Sequence, residues 1–251
     1  MTDFSNANIL VTGAASGIGA ATATALAEAG ARKLILIDTD EVRLRDHGFT
    51  LPCERQVIIG DVADERLWAN ADLTGLTHAV VNAGIGSSTP IDETSFAEWR
   101  RVMTVNLDGA FLTLQAAMRA MKGSGGAIVL TASAAGIKAE PGIAAYGSSK
   151  AAVIQLAKIA AKEGAPGGIR VNAIAPGGVE TPIWSSVPFF QNLVETTGSE
   201  EAAFKAIGSA ATPSGRFAKA DEIAGQIVFL LSDQASFVTG ACLVSDGGYS
   251  L

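Results

Sequence analysis

The chain has 251 residues, 48% of them apolar, enough for one large α/β domain or two small ones. Its 25 acidic against 18 basic residues give a net charge of -7 without a basic run, which disfavours a nucleic-acid partner. Lone thiols at Cys53 and Cys242 and isolated His47 and His78 suggest neither disulfides nor a metal site, and the lack of a leader-like start or a membrane-length apolar run points to the cytoplasm, away from membranes.

The apolar strand Asn8–Thr12 runs directly into Gly13-Ala-Ala-Ser-Gly17-Ile-Gly19, then an Ala-rich helical stretch ending near Gly30. Glycines let backbone turn sharply and approach a pyrophosphate, whose charge the amides of a helix start then meet. Gly13, Ser16, Gly17, Ile18 and Gly19 are therefore candidate dinucleotide contacts. Lys33–Asp38 is the next strand, and its terminal acid stands 19 residues past Gly19, a spacing suited to a ribose-binding carboxylate. Asp38 would accept from both ribose hydroxyls but repel a 2'-phosphate by roughly several kcal/mol at close range. Only Ala14, Ala15 and Ser16 occupy the variable turn positions, and Thr39 follows the acid. No cation stands there to offset the repulsion unless Arg43 reaches across, so NAD is expected rather than NADP.

Residues 56–62 read as a third strand ending in Asp61 and Val62. There Asp61 either accepts from an adenine amino group while Val62 packs on the ring, or is an ordinary surface turn. The stretch 63–77 leaves room only for an abbreviated helix over Glu65–Asn70. Residues 78–84 repeat the pattern of apolar strand and small polar turn, and Asn82, Ala83 and Gly84 let backbone approach the cofactor's ribose. From 95 to 122 apolar residues recur every three or four positions, which predicts a long helix with Asn106 buried in it. A buried amide is either satisfied by local backbone or holds a water for a purpose.

The run 127–132 reads as a buried parallel strand, with Ser133 at its carboxyl end, where open α/β sheets place their chemistry. After Pro141-Gly142 a helix is predicted over 144–163, with Tyr146 and Lys150 on one face near its start. A free tyrosine titrates near pH ~10 and is a poor acid-base catalyst at neutrality. An ammonium about 4 Å away favours the phenolate by roughly 4 kcal/mol at an effective dielectric of ~20, before desolvation. Ser133 would hold a substrate oxygen while Tyr146 exchanges its proton. The plainer alternative is a chance amphipathic pair beside a serine cap.

A sixth strand over 169–175 is closed by Pro176-Gly177-Gly178-Val179-Glu180-Thr181-Pro182. The region 183–216 shows no strand and mixes Trp184, Val187, Phe189, Phe190, Leu193 and Phe204 with prolines, glycines and acids. Long irregular segments are often lids, so these aromatics either line a greasy cleft or pack the segment onto the body. A helix over 219–231 and a last strand over 241–245 precede Asp246-Gly-Gly-Tyr249.

Strand and helix alternate throughout, and polar signals recur at strand carboxyl ends: Thr12, Asp38, Asp61, Asn82, Ser133 and Pro176. This predicts a doubly wound Rossmann α/β fold, a mostly parallel seven-stranded sheet flanked by helices, as one domain over 1–251 with a substrate lid at about 183–216. Thr-Gly-x-x-x-Gly-x-Gly stands at 12–19 and Asn-Ala-Gly at 82–84, and the serine, Tyr-x-x-x-Lys and Pro-Gly signals follow in order. In these motifs, over nearly its whole length, the chain resembles the short-chain dehydrogenase/reductase family in its common single-domain form.

The resemblance implies an NAD-dependent enzyme that interconverts a secondary alcohol and its ketone by hydride transfer, here on a bulky apolar substrate given the lid. It implies a tetrad of Asn106, Ser133, Tyr146 and Lys150. Tyr146 would be the general acid-base, Lys150 would lower its pKa and bind the nicotinamide ribose, and Asn106 would hold a proton-relay water. Pro176 and Gly177 join the cofactor site, and Val179 and Thr181 touch the carboxamide. Homotetramers, or homodimers, built through the two long helices and the last strand are also implied. Glu140 is outside the family pattern and either touches substrate or faces solvent. The stretch 63–77 is shorter than is common in the family. Glycine spacing differs in the epimerase-like long branch, and tyrosine and lysine lie farther apart in the enoyl reductases, so both are disfavoured. A protein of another class, a catalytically idle dinucleotide sensor or scaffold, would keep the fold and bind cofactor without turnover.

Overall fold

In a strand buried on both faces, successive side chains must supply two different cores. The computed structural model, which describes residues 3–251, shows this in strand β1 (Asn8–Thr12): Ile9 and Val11 enter one core and Leu10 the other. Strand β2 (Lys33–Asp38) does likewise, with Leu34 and Leu36 on one side and Ile35 and Ile37 opposite. Between them runs helix α1 (Gly17–Glu28), and α2 (Glu41–Thr50) follows β2. Helix α2 was not anticipated, because it has little apolar periodicity. It starts where Asp40 accepts from the Arg43 amide at 3.0 Å, and it buries Leu44 against the first core.

Strand β3 (Glu54–Ile59), the short helix α3 (Glu65–Asn70) and strand β4 (His78–Val81) come next, and α3 has the bounds its sequence suggests. The long helix is continuous but not uniform. Helix α4 (Phe96–Met103) passes through a π turn, Thr104–Asp108, into α5 (Gly109–Ala120). Strand β5 (Gly126–Thr131), helix α6 (Ala144–Gly164) and strand β6 (Ile169–Pro176) complete the second half. A two-residue ribbon pairs β7 (Val179–Glu180) with β8 (Ala218–Lys219), and between them lie α7 (Pro188–Thr197) and α8 (Glu200–Ala211). Helix α9 (Ala220–Leu231) and strand β9 (Cys242–Ser245) close the fold.

The large sheet has seven strands in the order β3, β2, β1, β4, β5, β6, β9, and every neighbouring pair is parallel rather than most of them. Residues of α1, α2 and α9 build the first core, and residues of α3, α5 and α6 the second. The chain leaves β1 toward β2 and leaves β4 toward β5, so the connections diverge between the central strands. A crevice at the strands' carboxyl ends is the consequence. No helix among the described residues is long and apolar enough to cross a membrane.

The region 183–216, expected to be irregular, is largely helical. Pro188 at the first turn starts α7, Gly198 at φ +85° ends it, and Ser199 caps α8 by accepting from the Ala202 amide at 3.1 Å. These two helices carry a small core of their own, made by Phe190, Ala203, Phe204 and Phe217.

Candidate active site

A crevice of about 820 Å³ opens where β1 and β4 diverge. Every residue assigned from the sequence to catalysis or cofactor binding lines it except Gly19 and Asn106. At one end the glycine turn lies so close to the loop after β4 that a Cβ on Gly13 would stand 2.9 Å from Ala83 Cα and from Asn82 Nδ2. Gly13 (φ +68°) and Gly17 (φ +54°) also hold left-handed backbone that other residues rarely adopt. Thr12 Oγ1 accepts from the amides of Asn82 (3.0 Å) and Ala83 (3.2 Å), while Asn82 Nδ2 donates to the Thr12 carbonyl at 3.1 Å. Gly19, expected among the dinucleotide contacts, is buried and off the crevice lining, and a Cβ there would overlap the Gly13 carbonyl oxygen.

Asp38 lines the crevice with Oδ2 accepting from the Ala15 amide at 2.9 Å and Oδ1 from the Asp40 amide at 3.0 Å. Each carboxylate oxygen keeps a second lone pair for a ligand. Arg43 does not reach across; it lies 3.6 Å from Asp40, outside the crevice. Asp61 and Val62 line the same end, and Asp61 is exposed, with Oδ1 accepting from the Ala63 amide at 2.9 Å. Thr181 faces the glycine turn from the opposite wall, 3.2 Å from the position of a Cβ on Gly17. Positive-φ glycines, a helix start and an acid at the end of β2 are the cradle a dinucleotide needs.

Ser133, Tyr146 and Lys150 converge on the crevice beyond Gly84. Ser133 caps the short turn Ala134–Gly136, accepting from the Ala135 amide at 3.2 Å, and shares a hydrogen bond with Tyr146. Lys150, one helical turn on, is 4% exposed; its Nζ donates to the Thr131 carbonyl at 2.8 Å and lies 5.9 Å from the Tyr146 ring centre. A Cβ on Gly84 would stand 3.3 Å from Lys150 Nζ and 3.3 Å from Asn106 Oδ1. Asn106 itself lies behind that wall. Its Oδ1 accepts from the Ile85 amide at 2.8 Å, and its Nδ2 donates to the Ile85 carbonyl (3.0 Å) and to Ser149 Oγ (3.2 Å). The side-chain amide is thus engaged by protein and braces the loop after β4. It sits in the π turn, a departure from helical pairing often found at functional sites and invisible in apolar periodicity.

The crevice's other end mixes polar and apolar groups. Trp184, Val187 and Phe189 line it, while Phe190 is buried inside the core of α7 and α8. The aromatics therefore divide between both expected roles. Glu140 also lines the crevice, as do Arg101, Tyr249 and Thr131, none of which the sequence singled out. Thr131 Oγ1 is buried without a partner in the protein, beside the carbonyl that holds Lys150. Tyr249 had no local signal, because its main-chain partner Lys138 lies 111 positions away.

A family model described as enoyl-(acyl carrier protein) reductase matches residues 13–250. Cis-4-hydroxycyclohexanecarboxylate dehydrogenase of Sinomonas cyclohexanicum is 40% identical over 250 residues, covering 96% of this chain and 95% of its own. Galactitol 2-dehydrogenase (L-tagatose-forming) of Cereibacter sphaeroides is 40% identical over 253 residues, covering 96% of this chain and 94% of its own. A crystal structure of a short-chain type dehydrogenase/reductase from Mycobacterium marinum is similar at a TM-score of 0.83 and 34% identity, covering 99% of this chain and 97% of that one. The chain belongs to the short-chain dehydrogenase/reductase family.

In the protein alone, burial pushes the Tyr146 phenol up, with the Ser133 hydrogen bond opposing, and pushes the Lys150 amine down to about 8. Desolvation acts against both charged forms. Between that value and the ordinary lysine range, the unfolded chain holds a proton that the native chain lacks. Unfolding there takes up a proton, so the buried amine's cost, on the order of 3 kcal/mol at neutrality, fades as pH rises. Wild type should therefore gain stability relative to Lys150→Met between about pH 8 and 10, measured as the difference between their urea midpoints; a difference constant with pH would refute the buried charge.

Proposed function

We propose that this protein is an NAD-dependent oxidoreductase that interconverts a secondary alcohol and its ketone. One observation carries the reading: Ser133, Tyr146 and Lys150 converge on the wall of a crevice whose far end is a glycine turn with Asp38 beside it. Bound NAD supplies the hydride acceptor and a positively charged ring that favours a nearby phenolate. The protein does the rest. The Ser133 hydroxyl, directed by the Ala135 amide, holds the substrate oxygen, and Tyr146, as the phenolate, takes the substrate hydroxyl's proton at its phenolate oxygen. Lys150, oriented by the Thr131 carbonyl, adds positive charge below its pKa and donates to the nicotinamide ribose. Asn106 fixes the Ile85 backbone and with it the wall behind Gly84. The main chain of the π turn that carries Asn106 would serve a relay water.

Asp38 and the lack of a nearby cation support NAD: among the described residues lining the crevice only Arg101 and Lys150 are basic, and neither is at the Asp38 end of the lining. Helices α7 and α8 serve as the lid, excluding water from the reacting carbon. The four-residue spacing of Tyr146 and Lys150 favours alcohol chemistry over the enoyl reduction in the family model's description, and both named relatives are dehydrogenases of hydroxyl-bearing compounds. Because the acid-base set is intact and assembled, an idle sensor is the weaker reading. Exposed apolar side chains on α5 and α6 (Phe111, Ile159), and near α9 and β9 (Phe229, Phe237, Val244), support a homotetramer built on these two faces.

Screening alcohols and ketones by nicotinamide absorbance should reveal turnover that Tyr146→Phe lowers by about 10³-fold or more; wild-type rates in that variant would overturn the acid-base role. NAD should exceed NADP in kcat/KM by about 100-fold, and Asp38→Ala should narrow the gap by about tenfold, as loss of a close charge repulsion requires. Light scattering should report a mass four times that of the chain; a monomer would contradict the two apolar faces as interfaces.

A further inference from the structure

The polar end of the crevice is built by residues from two distant parts of the chain. Lys138 Nζ lies 3.3 Å from Glu140 Oε1, donates to the Tyr249 carbonyl at 3.0 Å, and sits 4.2 Å from the centre of the Tyr249 ring. The Tyr249 phenol donates to the Glu140 carboxylate. This pairing lowers Glu140 from its ordinary value, and burial, with the Glu140 bond next, pushes Tyr249 up to about 12. The tail that carries Tyr249 is itself fixed. Asp246 accepts from the amides of Gly248 (2.9 Å) and Ser250 (2.8 Å), and a Cβ on Gly177 would stand 2.8 Å from Asp246 Cα.

Glu140 and Tyr249 line the same crevice as Tyr146, but Lys138 does not. What faces a substrate there is a preorganised carboxylate with lone pairs to spare, its counter-charge behind it. Arg101, which also lines the crevice, is paired with Glu98 through bonds of 2.7 and 2.8 Å. A substrate carboxylate would therefore meet an anion without a free cation, whereas a substrate hydroxyl would meet a strong acceptor. Resting on the dehydrogenase reading above, we infer that Glu140, positioned by Tyr249 and Lys138, is a specificity-determining acceptor for a second hydroxyl, and that the substrate is an uncharged diol or hydroxyketone rather than a hydroxy acid. The aromatics Trp184 and Phe189 would cover the carbon skeleton between the two oxygens.

The test uses the full chain with NAD and three kinds of probe: cyclohexanol, the 1,2-, 1,3- and 1,4-cyclohexanediols, and 4-hydroxycyclohexanecarboxylate. In wild type the best diol should exceed cyclohexanol in kcat/KM by about tenfold or more, the scale of a hydrogen bond to a charged group, and should exceed the hydroxy acid as well. Glu140→Gln should cut the diol-to-cyclohexanol ratio about tenfold and improve the hydroxy acid relative to the diol. Tyr249→Phe should raise KM for the diol more than it lowers kcat, a split that a general loss of folding would not produce. An unchanged ratio in Glu140→Gln, or a wild type that prefers the hydroxy acid, would overturn the anchor. Binding of the same probes to the NAD complex, followed by tryptophan fluorescence, separates the two readings. Selective diol binding without turnover would keep the anchor and sink the dehydrogenase; turnover without selectivity would do the reverse, and neither binding nor turnover would overturn both.

Discussion

The clamp between Thr12 and Asn82 is the interaction on which the rest of the site depends. Two parallel strands lie side by side, yet the chain departs from them in opposite directions, so their ends must be tied or the gap would spread. Thr12 does this with one hydroxyl, accepting from two successive amides of the β4 loop, and Asn82 returns a bond to the Thr12 carbonyl. The tie is close enough to leave no room for a Cβ at Gly13. A small polar side chain and a missing one thus set the width of the crevice, and the cofactor cradle and the reacting groups inherit their positions from it.

At the crevice's centre the chain accepts a cost for chemistry. A lysine amine buried against one carbonyl is an unfavourable place for charge, and a phenol beside it is equally discouraged from ionising. Each group is therefore moved toward its neutral form. Such a pair is poised rather than committed: it responds strongly to any positive group that enters next to it, because the surrounding medium screens little.

Much of this was legible in the sequence because it is local. Strands β1 and β2, the brief helix α3, and the placement of Tyr146 and Lys150 one turn apart follow from short apolar runs, glycine punctuation and helical spacing. The start and stop signals of α7 and α8 were also present, as Pro188, Gly198 and Ser199, but aromatic and acidic residues around them obscured the periodicity. Other features were out of reach for a physical reason. The π turn at Asn106 is a change in backbone pairing that leaves the apolar pattern intact. Tyr249 meets Lys138 and Glu140 only after β9 is laid beside β6 at the sheet edge, and no neighbouring residue announces that meeting. That Gly19 and Asn106 are buried off the crevice lining was hidden for a similar reason, since a motif names residues near a ligand without saying which of them reach the surface.

The aromatic core inside α7 and α8 has a further consequence. Phe190, Phe204 and Phe217 pack on one another, with ring centres 4.6 and 6.2 Å apart for the successive pairs, in a cluster separate from both cores of the sheet. The residues turned toward the crevice are therefore supported by a module whose cohesion is its own. Natural variation on the inner surface of that module has little leverage over the folding of the sheet, so new substrate preferences can arise there while the machinery for hydride transfer stays as it is.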